Sequence, residues 1–231
     1  MSIQIETILF DLDGTLIDTE LTAALTIRNC FKNWGISVDE KDAEHITGRT
    51  WSNAFIFLFG KYKIPVSEQE GANIIMQTYR DALENQLQLV PGGANSVRSL
   101  AEKYTLGLVS GSGRKEILWA LAKLGILEKF KIILGAEDYP HSKPAPDGYL
   151  KAMNFLKADP KKTLVFEDSK AGIQSARSAG TWVVAITSTN HFQQDTSLAH
   201  HHISDLTQVS AQWITQFPHI LSRESKEAVP S

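Results

Sequence analysis

The sequence predicts an α/β protein in which a doubly wound parallel sheet forms the core and an all-helical cap domain is inserted into it. From residue 93 onward, short apolar runs alternate with segments of helical periodicity, which is typical of parallel strands joined by crossover helices. Residues 19–88 have helical spacing and no convincing strand. An apolar run at 3–10 precedes this helical block. We therefore expect the run to join the later sheet and the helices to interrupt it.

The domain boundaries follow from this arrangement. We expect an α/β core made of residues 1–17 and 90–222 and a helical cap made of residues 18–89. The glycine-containing stretch at 90–93 would link the cap back to the core. Residues 223–231 have almost nothing apolar to bury, so we expect a frayed tail there.

Three helices are predicted within the cap. The first ends near Trp34, before Gly35, and the second begins near Thr50. The third begins at Ser67, a suitable N-cap, and continues to about Leu87. The second helix is apolar on most sides, and its aromatic residues are expected to pack into the cap in preference to forming a ligand cage. These aromatic residues are Trp51, Phe55, Phe57 and Phe59.

Helices and strands alternate in the remainder of the core. The predicted helices are 94–103, 113–124, 147–157 and 170–179, and the predicted strands are 105–109, 131–134, 163–166 and 182–186. The histidine run at 200–202 is interpreted as a short edge strand and its approach. Adjacent side chains on a strand point to opposite faces, which disfavours a compact metal site built from all three.

The composition narrows the class of protein. A hydrophobic fraction of 42% and a charged fraction of 21% are those of an ordinary globular protein. A net charge of −3 without a basic stripe argues against nucleic-acid binding. The single cysteine, Cys30, excludes an intramolecular disulfide and suits a reducing compartment. With no apolar run long enough to span a membrane and no targeting segment visible, we expect a cytoplasmic monomer.

Chemically active residue types follow the predicted strands. Asp11 and Asp13 come directly after the first strand, where two close carboxylates need a nearby cation if both stay ionised. Ser110 and Gly111 follow the strand at 105–109 and lead into a helix N-terminus, a donor-rich arrangement suited to phosphate oxygens. Lys143 lies beside prolines that restrict its backbone. This residue could supply the required cation.

A second pair of carboxylates, Glu167 and Asp168, follows the strand at 163–166. Parallel strands present their carboxyl ends at one edge of a sheet, so this pair should lie near Asp11 and Asp13. Such a cluster of oxygen ligands is suited to Mg²⁺. Carboxylates, a lysine, a metal ion and hydrogen-bond donors together are well suited to phosphoryl transfer.

The four stretches resemble, in order, the motifs of the haloacid dehalogenase-like (HAD) hydrolase superfamily, in its phosphatase and β-phosphoglucomutase-like branch with a helical cap. The resemblance covers nearly the whole chain and implies a Rossmann-like core. It is carried by Asp11-Leu12-Asp13-Gly14-Thr15, Ser110, Lys143-Pro144-Ala145-Pro146 and Glu167-Asp168-Ser169. Any one of these motifs is a modest signal, whereas all four at predicted strand ends are a strong one.

The resemblance assigns a role to each position. Asp11 would be the nucleophile and Asp13 the general acid and base, while Ser110 and Lys143 would bind the phosphoryl group. Mg²⁺ would be held by the Asp11 side chain, the Asp13 carbonyl and Asp168. Glu167 would be either a further ligand or a neighbour that supports one.

The implied activity is Mg²⁺-dependent hydrolysis of a phosphomonoester through an aspartyl-phosphate. We expect a small phosphorylated metabolite as substrate, with a sugar or polyol phosphate first and phosphoglycolate second. Arg49, in a stretch that resembles the cap's substrate loop, is a candidate substrate contact or a solvated surface residue. A phosphomutase is the enzymatic alternative, but similar β-phosphoglucomutases carry a cap histidine where this chain has Ala23 or its neighbours. A non-catalytic binding protein is the least favoured reading.

Overall fold

The structure of the protein, a computed structural model, describes residues 4–46 and 50–227. No helix in these residues combines the length and the apolar character needed to cross a membrane. In chain order, the helices and strands are β1 (Thr7–Phe10), β2 (Ile17–Asp18), α1 (Glu20–Asn33), α2 (Glu40–Ile46), α3 (Trp51–Lys61), α4 (Glu68–Asn85), β3 (Gln88–Leu89), α5 (Gly93–Leu100), β4 (Thr105–Val109), α6 (Arg114–Leu124), β5 (Ile132–Leu134), α7 (Asp147–Leu156), β6 (Thr163–Glu167), α8 (Lys170–Ser178), β7 (Trp182–Ile186), β8 (His201–Ile203) and α9 (Ala211–Glu227).

A parallel sheet with the strand order β5-β4-β1-β6-β7-β8 forms the centre of the core. Side chains of β1 alternate between its two faces, as expected of a strand covered on both sides. Ile8 and Phe10 pack in one hydrophobic cluster with residues of α5, α6 and α9, whereas Leu9 packs in a second cluster with α7 and α8. The predicted α/β fold class with a doubly wound parallel sheet is therefore confirmed.

Helices α1 to α4 share a hydrophobic cluster of their own, in which Phe31, Leu58 and Ile75 are fully buried. Helix α3 begins after Thr50 and α4 after Ser67, and both side chains accept hydrogen bonds from the first turn of their helix. These two predicted helix starts are confirmed. The boundaries that separate the cap from the core stay a prediction.

Four elements of the structure, β2, β3, α2 and α9, are not predicted by the periodicity. Strands β2 and β3 pair antiparallel where no strand was expected, because two-residue strands are too short to give a periodic signal. The sequence pattern also did not predict helix α2. Helix α9 (Ala211–Glu227) is not among the predicted elements either. The frayed tail expected at 223–231 stays a prediction.

The histidine run is placed as predicted. Strand β8 contains His201 and His202 and forms an edge of the sheet, paired with β7 on one side. His200 lies in the approach to this strand, and its Nδ1 accepts a hydrogen bond of 2.9 Å from the Val183 backbone N–H. The run therefore has a structural explanation in the fold.

Candidate active site

The carboxyl ends of the three central strands bring the predicted site residues together. Strand β1 lies between β4 and β6, in register with both. Asp11 directly follows β1, Ser110 follows β4 and Asp168 follows β6, so the three residues meet at one edge of the sheet. The Asp11 backbone N–H donates to the carbonyl of Phe166 at 3.0 Å, which ties the first motif to the strand beside it.

Lys143 reaches this edge from the loop between β5 and α7. Its Nζ donates to Asp11 Oδ1 at 2.5 Å, to Glu167 Oε1 at 2.6 Å and to the Val109 carbonyl at 3.2 Å. Burial alone would lower the pKa of Lys143, but the negative charges of Asp11 and Glu167 outweigh it and raise that pKa well above its usual value. The ammonium group is therefore the cation that the sequence requires beside Asp11.

Asp13 is surrounded by hydroxyl groups. Its Oδ2 accepts hydrogen bonds from Ser110 Oγ at 3.0 Å and Ser112 Oγ at 2.7 Å, and its Oδ1 accepts one from Thr19 Oγ1 at 2.7 Å. Ser112 directly precedes Gly113, which is the N-cap residue of α6. The Ser112 hydroxyl donates to Asp13 and does not cap the helix. The two serines of the loop and the second aspartate thus form one hydrogen-bonded group.

The two residues of the second carboxylate pair, Glu167 and Asp168, differ in how many hydrogen bonds they accept. Glu167 Oε1 accepts from Lys143 and from Tyr149, and Oε2 accepts from the backbone N–H groups of Asp168 and Ser169 and from the Ser169 hydroxyl. Asp168 Oδ1 accepts a 3.2 Å hydrogen bond from Thr15, and no described residue donates a hydrogen bond to Asp168 Oδ2, although Asp168 is only 1% exposed. A buried carboxylate oxygen without a partner is costly and calls for a cation.

These residues fit a divalent metal ion. Asp11, Glu167 and Asp168 each offer a carboxylate oxygen, and the three oxygens lie within 4.8 Å of one another. Because both Glu167 oxygens are already bonded, Asp11 and Asp168 have the freer oxygens. Gly14 adopts a positive φ of 85°, and a Cβ at this position would lie 2.1 Å from Asp168 Oδ2. Glycine is thus what allows the Asp11-to-Thr15 loop to approach Asp168.

Glu20 is a further acidic residue at this site that the sequence analysis missed. It lies in the first turn of α1 and is 8% exposed, and its carboxyl is close enough to that of Asp168 to affect the pKa of both. No described residue donates a hydrogen bond to Glu20 Oε2. Acidic residues are common in the first turn of helices, where they interact with the macrodipole, so composition alone did not distinguish it. The feature of the sequence that could have identified Glu20 is its position at the start of the helix that begins near Asp11.

Burial dominates the electrostatics of the carboxylates. Desolvation raises the pKa of Asp11 well above its ordinary value, and the charge of Lys143 offsets only part of this effect. Desolvation also raises the pKa of Asp168, with further increases from the negative charges of Glu20 and Glu167. Burial raises the pKa of Glu20 to about 8. This crowding of buried acids is what a bound divalent cation would relieve.

A cavity opens between this sheet edge and helices α1 to α4. Asp11, Asp13 and Glu20 line it from below together with Gly111 and Ser112, whereas apolar side chains of the helices line the opposite side. Of the predicted substrate contacts, Gly111 is in the lining, and Arg49 lies outside the described residues.

Two side-chain contacts connect the helices over the cavity with the core. Arg80 of α4 forms an ion pair with Glu116 of α6, with Nη2 and Oε1 2.8 Å apart. Asn53 of α3 donates a hydrogen bond to Ser142, the neighbour of Lys143. The helices are thereby held against the edge of the sheet on which the carboxylates lie.

Comparison with known proteins gives a consistent family. Residues 8–186 match the family described as haloacid dehalogenase-like hydrolase. The chain is 29% identical over 213 residues to a validoxylamine A 7'-phosphate phosphatase of Streptomyces hygroscopicus subsp. limoneus, covering 92% of this chain and 96% of that protein. It is 30% identical over 177 residues to the fructose-1-phosphate phosphatase of Escherichia coli (strain K12), covering 75% and 92%. A β-phosphoglucomutase structure from Clostridium difficile has the same fold, with a TM-score of 0.79, 24% identity and coverage of 95% and 100%.

Proposed function

Since the chain belongs to the haloacid dehalogenase-like hydrolase family, we propose that it is a Mg²⁺-dependent phosphomonoester hydrolase that acts through an aspartyl-phosphate on Asp11. The observation that carries the proposal is the position of this carboxylate. Asp11 is 5% exposed, is paired with the Lys143 ammonium at 2.5 Å and faces a cavity that it shares with Asp13. A buried nucleophile beside a fixed cation suits attack on a phosphoryl group, whose oxygens carry negative charge.

The reaction divides into two displacements at phosphorus. An Asp11 oxygen attacks the phosphorus atom, the bond to the ester oxygen breaks, and Asp13 gives its proton to the departing alcohol. Asp13 then takes a proton from water, which attacks the phosphorus of the acyl-phosphate and releases inorganic phosphate and free Asp11. Lys143 would counter the charge on the phosphoryl oxygens, and Ser110 and Gly111 would donate hydrogen bonds to them.

Asp11, Asp168 and the main-chain carbonyl of Asp13 would hold Mg²⁺, with Glu167 supporting Lys143 and the loop after β6. When bound, Mg²⁺ supplies a Lewis acid that offsets the charge of the phosphoryl group. Asp168 Oδ2, which accepts no hydrogen bond from the part of the chain that the structure describes, supports this assignment. Both oxygens of Glu167 are engaged by other groups, which favours a supporting role for this residue over direct ligation.

A phosphomutase is the second candidate, because the fold resembles that of a β-phosphoglucomutase. Ala23 lines the cavity beside Asp11 and Asp13, and its methyl group can neither give nor take a proton. This argues for hydrolysis. Incubation with a hexose 1-phosphate separates the two activities, since a hydrolase releases free phosphate and a mutase gives the hexose 6-phosphate.

The test is phosphate release from a panel of esters with and without Mg²⁺. The panel should contain sugar phosphates, glycerol phosphate, phosphoglycolate, nucleotides and pyrophosphate. We expect a sugar or polyol phosphate to be cleaved only when Mg²⁺ is present, and the Asp11→Asn variant to lose this activity while it remains folded. Asp81→Asn, on the exposed face of α4, is the matched control and should keep the activity. Inactivity across the panel would support a non-catalytic binding protein instead.

A further inference from the structure

The cavity above Asp11 and Asp13 has two sides of different chemistry. The helices contribute an apolar wall, which includes Ala23, Ile27, Ile46, Trp51, Ala54 and Tyr79. The charged residues in the described lining are Asp11, Asp13 and Glu20, and all of them are acidic. A phosphoryl group at Asp11 would leave its alcohol facing this wall.

Trp51 is the wall residue best placed to contact that alcohol. It is the largest wall side chain that is partly exposed, as are the smaller Ala23 and Ile46, whereas Ile27, Ala54 and Tyr79 are each exposed by no more than 3%. Its ring is held in position by Tyr79, with centroids 4.9 Å apart, and by Phe55, with centroids 5.5 Å apart. The Tyr79 hydroxyl is hydrogen-bonded to Thr19 and so adds no free polar group to the wall. A fixed aromatic ring offers a large apolar surface to a ligand.

Among the described residues, the cavity lining offers no cation to a second anion on this side. Lys143 is enclosed by Asp11, Glu167 and the Val109 carbonyl, so its charge is directed to the phosphoryl position. A carboxylate on the leaving group would lose its hydration against apolar side chains. Burial of an unpaired charge is strongly unfavourable.

We infer that the leaving group of the substrate is an uncharged alcohol that presents an apolar face, such as the carbon face of a ring, to Trp51. This inference rests on the proposed function and narrows its substrate class. A sugar or polyol in ring form satisfies both conditions. Phosphoglycolate, sugar bisphosphates and nucleoside diphosphates carry a second anionic group and do not.

Two matched pairs of esters test the inference with the Mg²⁺-loaded enzyme. For charge, phosphoglycolate is compared with its neutral amide, and we expect kcat/KM for the amide to be at least tenfold higher. For the apolar face, cyclohexylmethyl phosphate is compared with glycerol 3-phosphate, both being esters of primary alcohols. Burial of a ring face is worth roughly a 10- to 100-fold preference for the cyclohexylmethyl ester. Equal or reversed ratios in either pair would overturn the inference.

Variants of Trp51 test whether this residue causes the preference for the cyclohexylmethyl ester. Trp51→Ala should remove most of the preference for the cyclohexylmethyl ester, whereas Ile56→Ala, at a position on the same helix that is 71% exposed, should leave it unchanged. Trp51→Arg introduces a cation, and we expect it to reverse the order of phosphoglycolate and its amide. If both Trp51 variants keep the wild-type ratios, Trp51 does not contact the leaving group and the inference is wrong.

Binding of phosphonates separates this inference from the proposed function. Phosphonates contain a carbon–phosphorus bond that phosphomonoester hydrolysis does not cleave, so their affinity does not depend on turnover. Calorimetry should rank cyclohexylmethylphosphonate at least tenfold above phosphonoacetate. If no ester in the panel releases phosphate but this ranking holds, the proposed function fails and the inference about the ligand stands. Tighter binding of phosphonoacetate would overturn the inference whatever the activity.

Discussion

Replacement of Lys143 by methionine removes the cation from the centre of the site. Methionine retains much of the length and the apolar stem of lysine, so the main change is loss of the charge. The Lys143 ammonium lies 2.5 Å from Asp11 Oδ1 and 2.6 Å from Glu167 Oε1, and the lysine is only 3% exposed. The variant therefore leaves two buried carboxylates without their counter-ion.

Breaking a buried ion pair by removing one partner destabilises a protein by about 3–5 kcal/mol. We expect Lys143→Met to lose this amount of unfolding free energy, measured by urea denaturation at pH 7 with a chelator present. Lys162→Met is the matched control, because Lys162 pairs with Glu6 at 2.7 Å but both side chains are about half exposed. Solvent screens such a pair, and this variant should unfold at the wild-type urea concentration.

A second substitution tests the cause of the loss. In the double variant Lys143→Met/Glu167→Gln, one of the two unpaired charges is gone, so we expect part of the lost stability to return. A loss below about 1 kcal/mol in Lys143→Met would refute the reasoning, because an unpaired buried charge costs more than that. Equal losses in the single and double variants would show that the lysine acts through packing and not through its charge.

Three other outcomes follow from the described contacts. At pH 9 and without metal, Glu20→Gln should raise the unfolding free energy, because above the Glu20 pKa of about 8 the amide can still donate to Asp168 whereas the ionised carboxylate cannot; a decrease would contradict this. Gly14→Ala should reduce the rise in Tm that Mg²⁺ produces, because the new Cβ would collide with Asp168 Oδ2. An unchanged rise in Tm would count against Asp168 as a metal ligand. Burial holds the pKa of His200 at about 4, below its ordinary 6.5, so protonation costs stability as the pH falls through that range. Urea denaturation at pH 7 and at pH 5 measures this decrease in unfolding free energy, which should be smaller in His200→Asn than in the wild type. An equal decrease in both proteins would show that His200 is not its cause.

The fold was largely predictable from the sequence because its signals are local. Apolar runs such as residues 105–109 and 182–186 became β4 and β7 with the predicted bounds, and Thr50 and Ser67 start their helices as expected. The family was confirmed as well. The short ribbon of β2 and β3 was not predictable, because its pairing joins residues far apart in the chain and each strand has only two residues.

The site was predictable to the extent that its groups follow strands. Asp11, Ser110 and Asp168 lie at one edge because their strands are neighbours, and Lys143 reaches the same edge from the loop after β5. Glu20 was missed, since its importance comes from contact with Asp168 across the fold. Pairings of this kind depend on the tertiary structure and leave no periodic trace in the sequence. The catalytic roles of these residues stay predictions.

The most direct test of the account is to look for the phosphoryl group on Asp11. The Mg²⁺-loaded enzyme is mixed with a ³²P-labelled ester that it cleaves, quenched in acid within a single turnover and digested. We predict a label that is stable in acid and labile in base, on the peptide that contains Asp11, and no label on that peptide in Asp11→Asn. Phosphate release without a labelled peptide, or a label on another residue, would contradict the assignment of Asp11 as the nucleophile.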